Sequence, residues 1–187
     1  MKKGSTVLLV IIAVIIVIAL ALGGIYNSIV TLEENVNSEF SNVSVMLERR
    51  ADLIPNLVST VKGYASHEQA AIDSVTKARE NLLQAKTIEE KGEANNELTS
   101  ALNALMVIVE NYPDLKANQN FLDLQASLEE AENKITYSRQ FYNDNVLNYN
   151  NKTEMFPSNI IANIFNFEKF KFFEASEKDR ETPKVQF

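Results

Sequence analysis

Arg49, Arg50 and Asp52 stand just ahead of Pro55, and paired guanidiniums are the groups here best suited to grip an anion. Arginine presents a rigid fork of donors that matches a carboxylate or a phosphate. The competing reading is an ion network inside a helical domain, in which Arg50, close to the apolar phase of its segment, needs an acidic partner from another helix. Arg79 and Arg139 also flank apolar stripes, where their stems can cover a core while their heads stay paired or wet. His67 is the one histidine, and there is no cysteine. With no second histidine four residues on, His67 forms no metalloprotease pair and reads as a turn residue, and transition-metal donors are lacking. Glu33–Glu34, Glu89–Glu90 and Glu129–Glu130 are neighbours in sequence and so point about 100° apart on a helix, which suits solvated faces better than general acid and base. No calcium loop, phosphate-cradling glycine loop or di-iron motif is present. The expectation is no catalytic residue, no cofactor and no metal.

The aromatic residues are less ordinary. Phe141–Tyr142–Asn143 and Tyr149–Asn150 place two Tyr-Asn pairs seven residues apart, on one helix face. Tyr26–Asn27 adds a third pair. A tyrosine joins an apolar body to a polar edge, so Tyr26 reads as a membrane-interface anchor, and Tyr142 and Tyr149 read as seam residues of a bundle, with a ligand-binding face as the alternative. Phe165, Phe167, Phe170, Phe172 and Phe173 then crowd into a short stretch. Either these rings belong to an irregular tail that docks on the bundle, or they form an exposed patch that meets lipid or a partner protein. Lys169 and Lys171 beside the rings would suit anionic headgroups. The candidates for an interaction or structural network are therefore Arg49, Arg50, Asp52, Arg139, Tyr142, Phe170, Phe172 and Phe173.

Helices must position these residues. Ile25, Ile29, Leu32, Val36, Phe40, Val43 and Leu47 recur at steps of three and four, and the phase continues through Ile54, Leu57, Val61 and Tyr64, the stripe of a bundle helix. Pro55 predicts a kink near 51–55. Ser66 is the expected N-cap of a second helix carrying Ala71, Val75, Ala78, Leu82 and Ala85. A third helix is predicted after the polar stretch 86–92, with Ala94, Leu98, Ala101, Leu105 and either Ile108 or Val109, ended by Tyr112–Pro113–Asp114. The fourth carries Phe121, Leu124, Leu128, Ala131, Ile135, Tyr142, Val146 and Tyr149. Ser158 is the expected cap of a short helix through Ile164, and residues 174–187 read as charged and aperiodic.

The start of the chain sets the compartment. Between Lys3 and Glu33 no residue is charged, and residues 6–25 are almost all Val, Ile, Leu and Ala. About twenty such residues match the roughly 30 Å hydrocarbon core of a bilayer. A cleaved signal peptide is the rival, because Ala19–Leu20–Ala21 is a small-x-small site, but the run is longer than a signal core. Lys2 and Lys3 should stay cytoplasmic by the positive-inside bias, placing the rest outside. The net charge of −7 and the lack of a basic cluster argue against nucleic acid. The expected fold is all-α: an N-terminal transmembrane helix, then an elongated antiparallel four-helix bundle with a short C-terminal helix and aromatic tail. By segment, this gives 1–5 as a short cytoplasmic tail, 6–25 as the transmembrane helix, 26–155 as the bundle, and 156–187 as the short helix and aromatic tail docking on it.

Several motifs resemble the LemA family of bacterial membrane proteins. They are Arg49–Arg50–Ala51–Asp52–Leu53–Ile54–Pro55–Asn56–Leu57–Val58, Lys62–Gly63–Tyr64–Ala65 with His67–Glu68, and Tyr112–Pro113–Asp114–Leu115–Lys116–Ala117–Asn118 with Phe121. Glu132–Asn133–Lys134–Ile135, Arg139, the two Tyr-Asn pairs and Phe156–Pro157–Ser158–Asn159 continue the likeness in order, and Phe40 stands where the family would have tryptophan. The resemblance implies a membrane anchor, a helical bundle outside the cytoplasm and no established enzymatic activity. Because genes of such proteins often neighbour membrane metalloproteases, it also implies such a protease as a candidate partner besides the lipid bilayer. The expected role is a non-enzymatic scaffold or interaction module of the envelope; the alternative is a ligand sensor or accessory subunit that binds a small anion or peptide between the helices.

Overall fold

The computed structural model describes residues 2–173, with side chains from residue 6 onward. The stretch 174–187 lies outside the described residues. Among the described residues the fold is all-α, with α1 at Lys2–Tyr64, α2 at Gln69–Gln84, α3 at Ile88–Val109, α4 at Pro113–Lys116, α5 at Gln119–Glu154 and α6 at Ser158–Ile164.

Helix α1 runs unbroken through Gly23, Gly24 and Pro55. Its apolar N-terminal part is exposed throughout, with none of its most apolar window covered by protein. Leaving that much apolar surface uncovered in water is strongly unfavourable, whereas a bilayer matches it in length and chemistry. The chain is a membrane-associated helical protein, and among the described residues one helix, at its N-terminus, is long and apolar enough to cross a bilayer. Beyond this segment Ile29, Val36, Val43, Leu47, Ala51, Ile54, Leu57 and Val61 are buried, as the three-four spacing predicts, whereas Tyr64 at the helix end is exposed.

Continuity through Pro55 has a local cause. A proline lacks the amide that would bond the carbonyl four residues back, here that of Ala51, whose surroundings are fully buried. Arg79 of α2 fills the gap: its Nε donates to the Ala51 carbonyl at 2.9 Å. Arg79→Ala should therefore cost about 1–3 kcal/mol, the penalty for a buried polar group left without a partner. In a Pro55→Ala background the restored amide supplies the bond, and the same change should cost well under half as much. A double-mutant cycle by urea unfolding measures this coupling, and strictly additive losses would refute it.

The chain forms two compact units, Met1–Ser38 with Asp144–Phe170 and Glu39–Asn143 with Lys171–Phe187. The second holds a helical-bundle core. Helix α2 contributes Ile72, Val75, Ala78 and Leu82, α3 contributes Leu98, Ala101, Leu105 and Val109, and α5 contributes Phe121, Leu128, Ala131, Ile135 and Tyr142. The α3 phase thus takes Val109 over Ile108, and α2 buries Ile72 in preference to Ala71.

Several boundaries differ from expectation. Ser66 caps nothing, because the chain leaves α1 through a backbone turn in which the Glu68 amide donates to the Ala65 carbonyl, and α2 starts at Gln69 without a side-chain cap. Helix α3 starts inside the stretch read as a polar connection. Thr87 and Glu90 form a reciprocal capping box there, which satisfies two otherwise orphaned amides. Pro113 opens the unpredicted single turn α4, whose Leu115 is buried. The Asn118 side chain accepts from the Phe121 amide at 3.1 Å, an N-cap bond that sets the start of α5.

In the first unit Ile29 and Val36 of α1, Val146 and Tyr149 of α5, and Ile161 and Ala162 of α6 are buried. Ser158 is the first residue of α6, not its cap; its hydroxyl donates back to the Met155 carbonyl at 2.9 Å.

Candidate functional site

Arg49 and Arg50 are adjacent on a helix, so they diverge. Arg49 and Asp52 are exposed, whereas Arg50 is buried within the second unit. One guanidinium nitrogen of Arg50, Nη1, donates to Asn95 Oδ1 at 2.6 Å and to Thr99 Oγ1 at 3.0 Å, both on α3. The same nitrogen lies 2.6 Å from Glu132 Oε2 on α5. That contact is an ion pair without hydrogen-bond alignment, and Arg50 Nε is buried with no hydrogen-bond partner. Burial pushes the Arg50 guanidinium below its ordinary pKa, and the Glu132 charge opposes that shift. This cluster joins α1, α3 and α5.

The second cluster of the same unit holds the chain after residue 170. Asn143 bonds the Phe173 backbone twice: its Oδ1 accepts from the Phe173 amide at 2.8 Å and its Nδ2 donates to the Phe173 carbonyl at 3.1 Å. The Tyr142 hydroxyl donates to the Lys171 carbonyl at 2.9 Å. A side-chain amide thus takes the place of a neighbouring strand for a segment with no strand to pair with, meeting the demand that backbone polar groups be satisfied. The Phe173 ring is buried against Gly92 of α3, where a Cβ would stand 3.4 Å from the ring edge. The Arg139 guanidinium carbon lies 4.3 Å from the Phe173 centroid, within cation–π range. Phe172, by contrast, is exposed. Lys171 pairs with Glu89 at 2.9 Å; the hydrogen bond between them, first among the causes, raises the Lys171 pKa and lowers that of Glu89. Burial, aided by the Glu89 charge, pushes the Tyr142 phenol up to about 12, so it remains a neutral donor at any physiological pH. The Phe40 ring lies 6.5 Å from that of Tyr142.

The first unit repeats the device. Asn150 accepts from the Phe170 amide at 3.1 Å and donates to its carbonyl at 2.9 Å, and the Phe170 ring meets Tyr149 edge-on at 5.0 Å. Phe170 is half-buried. The Tyr149 hydroxyl is buried without a partner, and burial pushes its pKa up to about 12. Lys169 pairs with Glu154. Tyr26, one residue past the apolar run, lies 4.8 Å from the Phe165 ring and 5.7 Å from Phe167.

The polar groups at these clusters are largely engaged with backbone or with one another, which suits holding a chain segment better than turning over a substrate. Among the described residues no group of His, Asp and Glu is placed to hold a metal, and His67 is exposed. The seven-residue spacing drew attention to Asn143 and Asn150 in the sequence but not to the Phe173 and Phe170 backbone groups they hold, and nothing there singled out Asn95 or Glu132 as partners of Arg50.

Comparison with known proteins fits this picture. The model of the LemA family matches residues 39–187, most of the chain. The chain belongs to the LemA family. Among relatives, the magnetosome protein MamQ 2 of Paramagnetospirillum magneticum is 26% identical, over 80% of this chain and 64% of its own. The magnetosome protein MamQ of Magnetospirillum gryphiswaldense is 25% identical, over 79% and 64%. Protein LemA of Metamycoplasma hominis is 23% identical, over 82% and 71%. The chain thus spans less than two thirds of the length of the MamQ relatives.

Proposed function

We propose that this LemA protein is a non-enzymatic scaffold or interaction module of the bacterial envelope, with its N-terminus cytoplasmic and an antiparallel four-helix bundle, closed by the aromatic tail, outside. The observation that carries the reading is that α1 passes without a break from the apolar segment into the buried stripe of the bundle. Anchor and bundle share one element, so a partner bound by the bundle is tethered to the bilayer. Lys2 and Lys3 ahead of the span favour the cytoplasmic side for the N-terminus. The bundle also exposes large apolar side chains suited to a partner, with Tyr137 and Phe141 one turn apart on α5 and Phe172 between the backbone groups held by Tyr142 and Asn143. Such rings are enriched at protein interfaces, and an envelope protein such as a membrane metalloprotease is a fitting partner.

The second reading, a sensor of a small anion or peptide, draws on the unpartnered Arg50 Nε. Against it, the groove between α2 and α3, about 510 Å³, is lined by Glu90, Glu93 and Glu97 as well as Lys86, a net negative lining that disfavours an anion. A photoreactive phenylalanine analogue at Phe172 or Phe141 tests the choice in living cells. The interaction reading expects a discrete adduct with a membrane or envelope protein from at least one position. No adduct from either, or adducts with cytosolic proteins alone, would contradict it.

A further inference from the structure

The first unit uses only one side of α6. Ser158, Ile161 and Ala162 are buried, while the other side presents Ile160 and Ile164, one turn apart, flanked by Phe156 and Phe165. Phe156 is 80% exposed and Ile164 64%. No charged residue stands between Glu154 and Glu168, so the patch has no charged group of its own to hydrate or to pair with a partner. Its place in the fold says what covers it. The Phe165 ring contacts Tyr26 at 4.8 Å, and Tyr26 is the first aromatic residue after the apolar run. The patch is therefore continuous with the end of the span, where tyrosine rings settle at the level of lipid headgroups.

We propose that the exposed face of α6, Ile160 and Ile164 with Phe156 and Phe165, lies in the headgroup–acyl boundary of the bilayer that α1 spans, as a second membrane contact of the same chain. A short helix with one apolar face gains little from lipid alone, but α1 already holds it at the surface, so the contact forms within the molecule at high effective concentration. The Lys169–Glu154 pair borders the uncharged stretch. The contact would fix the orientation of the first unit against the bilayer. It rests on the anchoring proposed above, and the test separates the two.

The chain has no tryptophan, so Ile164→Trp and Ile160→Trp each give a single reporter at an exposed position in the full chain. Each variant is reconstituted in phosphatidylcholine–phosphatidylglycerol vesicles, with and without acyl chains brominated near the headgroup. Ile15→Trp, at the middle of the span, is the control, read with acyl chains brominated near their methyl ends. The expected result is blue-shifted emission at both α6 positions that is lost to bromolipid, as at Ile15. Water-like emission, quenched by acrylamide and indifferent to bromolipid, would overturn the proposal. Blue emission indifferent to bromolipid would overturn it too, because a second copy or another protein would then be the cover. If Ile15→Trp also escapes bromolipid, the anchoring itself is wrong and the α6 contact falls with it.

Discussion

Ile135→Ala should lower the unfolding free energy by roughly 2–5 kcal/mol, through lost transfer energy and the cavity left behind. Ile135 is fully buried on α5, within the stripe that also holds Leu128 and Ala131, so Leu128→Ala should behave alike. Glu129 and Glu130 lie between these residues in sequence and are exposed, and alanine at either should stay within about 0.5 kcal/mol. Urea unfolding of the full chain in detergent micelles measures both sets. Equal losses in the two would mean that the assigned face of α5 is wrong.

A comparable loss follows from breaking the Arg50 cluster. Removing one partner of a buried ion pair costs about 3–5 kcal/mol, because the other charge stays buried without compensation. The Glu132 side chain is 37% exposed, so water can screen part of the deficit, and Glu132→Ala should fall toward about 2–3 kcal/mol. Adding Arg50→Met removes the stranded charge while keeping apolar volume. The double variant should therefore be no less stable than Glu132→Ala alone, a favourable coupling of at least about 1 kcal/mol. Additive losses in the same unfolding measurement would show that Glu132 does not compensate Arg50.

Much of this was legible in the sequence where a short-range pattern determines the outcome. The helical spacing of Ile29, Val36, Val43 and Leu47 calls for a buried stripe, and the run 6–25 has the length and apolarity of a bilayer span. The Arg50 position showed that a partner was needed but not which one, because Glu132 is brought near by tertiary packing alone. Local cues misled where backbone competed with side chain: Ser66 and Ser158 have the chemistry of caps, yet a backbone turn and a reversed hydroxyl bond settle those helix starts. Gly92 read as part of a connection because glycine weakens helices; it lies inside α3, where the absent side chain leaves room for the Phe173 ring. Pro55 leaves the Ala51 carbonyl without a donor from its own helix. The remedy comes from Arg79, a residue of the next helix, and no local pattern announces it.

The side of the membrane on which the bundle lies decides which partners it can meet. The chain has no cysteine, so a single introduced thiol is the sole target of a maleimide. Ser100 is exposed on α3, and Ser100→Cys should react with a membrane-impermeant maleimide on intact cells once any outer barrier is made passable. Ser5→Cys, ahead of the span, should react only after the membrane is opened. Labelling of Ser5→Cys on intact cells with Ser100→Cys protected, or protection of both until lysis, would contradict the extracytoplasmic bundle.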